Sequence, residues 1–126
     1  MTEKQQIAKL EEELKLYKTS DLELAKKIDH AYLANYLTSL KWVDRGDIHG
    51  KNVVTFQWIE RTETTTTLLY QISIPFSPHF SDYDSSIVYA ADQLAKFLKQ
   101  ERKQVLVNLI LGFKSSVLNG AKGKEK

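Results

Sequence analysis

The chain has no cysteine among its 126 residues, only two prolines, five glycines and one methionine. The missing cysteine excludes disulfides, thiolate metal sites and cysteine nucleophiles together, and leaves the redox compartment open. The glycines at 46, 50, 112, 120 and 123 have no dinucleotide or phosphate-loop spacing. A nucleophile elbow and an H-E-x-x-H helix are also lacking. No apolar run approaches the roughly 20 residues of a membrane span. The start is charged from Glu3 onward, unlike a secretory signal. These absences predict a soluble, cytoplasmic protein with no membrane partner and no cofactor. Composition is otherwise ordinary, with 42% apolar residues, 27% charged residues and a net charge of +2. A chain of this length fits one domain with one real core.

What is present centres on two runs, Asn52–Arg61 and Thr65–Phe76. In the first, Val54, Phe56 and Trp58 share one parity. In the second, Leu68, Tyr70, Ile72, Ile74 and Phe76 do. Side chains on a strand alternate between faces, so the pattern predicts antiparallel strands with one packed face and one wetter face. A third strand around Trp42, within Leu40–Asp44, completes an expected three-stranded meander. The Arg45–Asn52 stretch, with two glycines, reads as a connection.

Helical patterns flank the strands. Ile7, Leu10, Leu14 and Tyr17 are spaced three, four and three, the a/d seam of a coiled coil. Ser20-Asp21-Leu22-Glu23 is a capping box, which predicts a second helix over 21–40. Residues 86–118 read as one long or bent helix, with Asp84 or Ser85 as N-cap and Asn119-Gly120 as the stop. Within it, six of the seven residues Val105–Leu111 are apolar. The period cannot say whether that run is helix or strand, and a helix apolar all round must be covered all round. The expected fold is α+β: N-terminal helices, a three-stranded antiparallel meander and a long C-terminal helix, in the order α-α-β-β-β-α. The expected organisation is a helical arm over 1–19, one domain over 20–118 and a mobile lysine-rich tail over 119–126.

For chemistry, the only ligand-like cluster is His79, Asp82 and Asp84, with His49 brought near by folding. A capped helix start explains the two aspartates without a metal, and catalysis needs a carboxylate or histidine in an apolar pocket. No metal site, no catalytic residue and no enzyme activity are therefore expected. The leading expectation is a small non-enzymatic protein of assembly, adaptor or inhibitor type. It would act through contacts with itself or with another protein, as a homo-oligomer. Its interface would comprise Ile7, Leu10, Leu14 and Tyr17 together with Val105, Leu106, Leu109 and Ile110. The alternative is a binder of single-stranded DNA or RNA. The last third of the chain holds eight basic and four acidic residues. Lys96, Lys99, Arg102, Lys103 and Lys114 would contact phosphates, and Trp42, Trp58, Phe80 or Tyr83 would stack on bases.

Overall fold

The computed structural model describes residues 3–124 apart from 49, 51, 76, 78 and 80, and describes side chains up to 116. His49, Phe76, Phe80 and the side chains of the C-terminal lysines lie outside the described residues. The elements are α1 (Glu3–Tyr17), α2 (Asp21–Ala25), α3 (His30–Ser39), β1 (Val43–Asp44), β2 (Val53–Arg61), β3 (Thr66–Pro75), α4 (Tyr83–Leu98) and α5 (Arg102–Lys124). The fold is α+β with a three-stranded antiparallel sheet in the order β1-β2-β3.

Each expected long helix is broken once. The capping box holds: the Ser20 hydroxyl accepts from the Glu23 amide and starts α2. That helix ends after five residues, and Asp29 starts α3 by accepting from the Tyr32 amide. The sequence pattern hides this second cap, because Asp29 sits inside the apolar stripe of 21–40. The C-terminal run is likewise two helices. Lys99 adopts a left-handed φ of 58°, and the amides of Lys99 and Gln100 close back onto Lys96 and Ala95. That is a C-terminal cap of the kind glycine serves best. A Lys99→Gly chain is expected to be more stable by about 1 kcal/mol, the usual cost of a side chain in this conformation. Urea unfolding of the two proteins measures it. The end of α5 also differs from expectation: its backbone continues through Asn119-Gly120 to Lys124.

The sheet packs one face onto α3 and α4. Phe56 and Ile72 on that face are 1% and 0% exposed. Beside them Trp58 and Tyr70 pack with Trp42 and Phe97, with ring centres 4.7 to 6.3 Å apart. Trp42 sits just before β1, which is only two residues long. Its buried Nε1 has no hydrogen-bond partner, a local cost within a well-filled aromatic cluster.

The opposite face carries a polar ladder, with Thr55 bonded to Ser73 and Gln57 to Gln71. A bulge corrects the parity read from the sequence. Trp58 pairs with Tyr70 but Ile59 pairs with Leu68, so Leu69 is the extra residue. Leu68 therefore joins Ile59 on the outer face instead of Tyr70 on the inner one, and it is half exposed.

Val105–Leu111 is helix, and it is covered by its own chain. Val105, Leu106, Val107, Leu109 and Ile110 are all 4% exposed or less. The helix packs against α1, α2 and α4. The interface expected at Val105, Leu106, Leu109 and Ile110 is therefore core, because neighbouring helices supply the cover that a partner would otherwise have provided.

One buried polar contact ties the ends of the core together. The Tyr83 hydroxyl, at the start of α4, donates to the Ile28 carbonyl at 2.6 Å. Burial, and then the charges of Asp29 and Asp84, push this phenol up to about 12. The fold thus favours the neutral form. Its contribution is complete below the ordinary phenol value of about 10 and disappears as pH rises from there towards 12. A Tyr83→Phe chain is expected to lose about 1 kcal/mol at neutral pH. It should also lose less stability than the parent between pH 10 and 12. Part of the alkaline loss will persist, because burial, and then the neighbouring Tyr32, raise Tyr36 as well. Chemical unfolding at pH 8 and pH 11 tests both statements.

Candidate self-association surface

Residues 3–17 form a helix for local reasons. They contain no glycine or proline and a single β-branched residue, Ile7. Glu3 lies in the first turn and Lys15 in the last, each favourable to the helix dipole. The Thr19 hydroxyl donates to the Lys15 carbonyl and helps close the end.

Tertiary contacts decide which way the helix faces. Leu16 is its one buried residue, at 6% exposure. Glu12, one turn earlier on the same side, pairs with Lys114 of α5. At 100° per residue, Glu12 and Leu16 lie about half a turn of the helix from the seam. Ile7, Leu10, Leu14 and Tyr17 consequently point away from the body, at 50%, 58%, 60% and 37% exposure. The expected seam is present as a continuous apolar stripe. It does not serve the helix's own packing.

A cluster of charges holds the next turn of chain in place. Asp21 at the start of α2 accepts from Arg102 Nε at 2.8 Å and pairs with Lys103 at 2.9 Å. Lys103 also donates to the Thr19 carbonyl, which places a cation near the end of α1. Burial raises the Asp21 carboxyl. The hydrogen bonds and charges of Lys103 and Arg102 outweigh it and hold the group below the ordinary value. Arg102 reaches Asp92 of α4 at 3.8 Å, and Asp92 pairs with Lys96 at 3.5 Å. Pairs this exposed contribute little singly. Their role here is positional, since they dock the N-terminal helices on α4 and α5.

These same pairs occupy the cations assigned to phosphate contacts. Lys96, Arg102, Lys103 and Lys114 each face a carboxylate of the chain itself. Among the described residues Lys99 alone of the five is in no ion pair. Of the candidate stacking residues, Trp42 and Tyr83 are 4% and 3% exposed and Trp58 packs in the aromatic cluster, while Phe80 lies outside the described residues. A cation already paired within the chain releases fewer counterions on binding a phosphate, and a buried ring offers no stacking face.

The ligand-like cluster does not converge. His79 and Asp82 are exposed, and Asp84 lies 3.9 Å from Lys26. His30 packs against the edge of the Tyr83 ring. Among the described residues no three His, Asp or Glu side chains are placed to hold a metal ion. A cavity of about 110 Å³ lies between α3 and α5, lined by Tyr32, Tyr36, Gln100, Asn108 and apolar side chains. It presents phenols and amides and no carboxylate or histidine. No helix among the described residues is long and apolar enough to cross a membrane.

The outward seam was legible in the sequence from its three-four-three spacing. Two features do not show in the sequence pattern: the exposed apolar residues Leu68 and Leu69 on β3, and exposed Val43 on β1 at the other side of the sheet. The run of uncharged residues through β3 was the available signal. In comparison with known proteins, the chain matches no protein-family model, no curated protein and no solved structure.

Proposed function

We propose that the protein acts in the cytoplasm through protein–protein contact, without enzymatic chemistry, and that the seam of α1 pairs with the same seam of a second copy. The observation that carries this reading is the exposure of Ile7, Leu10, Leu14 and Tyr17 in one line, while Leu16 on the other side is buried. An apolar stripe costs free energy in water and is relieved by a matching stripe. The chain's own body lies on the far side of α1 and does not obstruct approach.

The flanking charges select the orientation. With Ile7 and Leu14 at a, and Leu10 and Tyr17 at d, Glu13 falls at g and Lys18 at e. A parallel pair sets each Glu13 near Lys18 of the other copy. An antiparallel pair in register sets Glu11 against Glu11, Glu13 against Glu13 and Lys4 against Lys18. The parallel arrangement is therefore favoured. Two heptads make a small interface, of the weak and reversible kind. Helix formation adds no cost, because α1 is already ordered against α5.

Solution mass by light scattering, over a concentration series and at two salt levels, tests the reading. A dimer that forms with concentration and persists in salt supports it. A monomer throughout would overturn self-association and leave the seam to a helix of another protein.

A further inference from the structure

The cavity between α3 and α5 is built by those two helices and by the corner that joins α4 to α5. Tyr32 and Tyr36 are one turn apart on α3 and line one side together. Tyr32 is fixed in place by its edge contact with Phe113 at 5.6 Å and by the room that Gly112 leaves for its hydroxyl. Val105, Asn108 and Leu109 of α5 line the facing side. The left-handed turn at Lys99, closed by the Gln100 amide, brings Leu98 and Gln100 to the same cavity. Val105 and Leu109 are 3% and 4% exposed, whereas Gln100 and Asn108 face water. The cavity therefore has an apolar floor and two side-chain amides at its mouth.

Its polar groups are unpaired. Among the described residues, neither the two phenol hydroxyls nor the side-chain amides of Gln100 and Asn108 hydrogen-bond within the chain. Phenols and amides each donate and accept. Burial, and then the neighbouring Tyr32, raise the Tyr36 phenol, so it stays a neutral donor at physiological pH. No lining side chain is charged. A carboxylate or an ammonium group here would lose water and gain no counter-ion, so the lining selects a neutral molecule. Size selects further. A cavity of about 150 Å³ encloses benzene. At about 110 Å³ and open at its mouth, this one takes a single six-membered ring and no fused bicycle.

We propose that this cavity binds a neutral six-membered ring bearing a carboxamide, with the ring on the floor of Leu98, Val105 and Leu109 and the carboxamide at the mouth. A primary carboxamide presents a carbonyl and an N–H side by side. The side-chain amide of Asn108 or Gln100 meets that edge with two hydrogen bonds, each group donating once and accepting once. The phenols serve the second carbonyl lone pair and the second N–H. A bare hydrocarbon ring would displace water and leave the phenols and amides unpaired. A polyol would set its hydroxyls against the apolar floor. The site shares no residue with the α1 seam, and the inference stands whether or not α1 pairs.

Benzamide is the probe, titrated into the full chain and followed through the backbone amide chemical shifts. Shifts should centre on Tyr32, Tyr36, Gln100 and Asn108 and saturate with a dissociation constant of roughly 1 mM, usual for so small a ligand. Benzoate and toluene have nearly the same shape. Each should bind about tenfold more weakly or worse, the first for its charge and the second for its missing polar edge. Tyr36→Phe and Asn108→Ala should each weaken benzamide about fivefold, the worth of one hydrogen bond. Unshifted resonances away from the cavity check that both variants keep the fold. No saturable shift up to about 20 mM benzamide would overturn the proposal. So would shifts centred elsewhere, equal binding of benzoate or toluene, or unchanged binding in both variants.

Discussion

A Leu10→Lys, Leu14→Lys chain will lose association through α1 and keep its fold. Leu10 and Leu14 are 58% and 60% exposed in the single chain, so their replacement removes little from the folded monomer. Surface changes of this kind typically stay within about 0.5 kcal/mol. Neighbouring Glu11 and Glu13 make added lysines tolerable on this helix. In the paired state both leucines of both chains are covered. Full burial of one leucine contributes roughly 1.5–3 kcal/mol, and each tenfold in affinity corresponds to about 1.4 kcal/mol. Losing four such contacts and setting lysine against lysine should weaken α1 pairing by at least 1,000-fold. Sedimentation or light scattering measures the affinity, and urea unfolding at low protein concentration checks the fold. Unchanged self-association would remove α1 as the interface.

The second large effect is expected in the core. A Leu106→Ala chain should be destabilised by about 3 kcal/mol, within the range for a fully buried leucine whose cavity does not collapse. Leu106 is 0% exposed, and the helices around α5 are fixed by their own packing and by the Asp21, Arg102 and Lys103 pairs. A domain of this size is ordinarily stable by only 5–15 kcal/mol, so the melting temperature should fall by roughly 10 °C. The loss should not depend on protein concentration, because the cover comes from the same chain. Concentration-dependent destabilisation would instead mean that a second copy covers this run. Asn108, exposed on the same helix, is the control: Asn108→Ala should change stability by less than about 0.5 kcal/mol.

Gly112 of α5 faces the Tyr32 hydroxyl so closely that an added Cβ would lie 2.4 Å from it. Tyr32 also meets the Phe113 ring edge-on at 5.6 Å. Gly112 is thus a contact position, where the absent side chain makes room for a phenol from α3.

The sequence by itself determined the order of helical and strand regions and most of the faces within them. Alternation in Val54–Trp58 and Tyr70–Ile74 specified a sheet face, and three-four-three spacing specified the α1 stripe. The Ser20 capping box located a helix start. Each of these rests on interactions between residues a few positions apart, which a local pattern encodes directly. Only the tertiary structure decided which way those faces point. The stripe on α1 faces outward because Leu16 and Glu12 on its other side meet α5, and Glu12 lies 102 positions from Lys114. The apolar run at 105–111 is core because α1, α2 and α4 close around it. The basic residues near 102 are neutralised because Asp21, 81 positions away from Arg102, folds back against them. The bulge at Leu69, which turns Leu68 to the outer face, depends on the register that β2 imposes. Periodicity says which residues share a face. What covers that face depends on elements far away in the chain, whose arrangement is set by the packing of the whole.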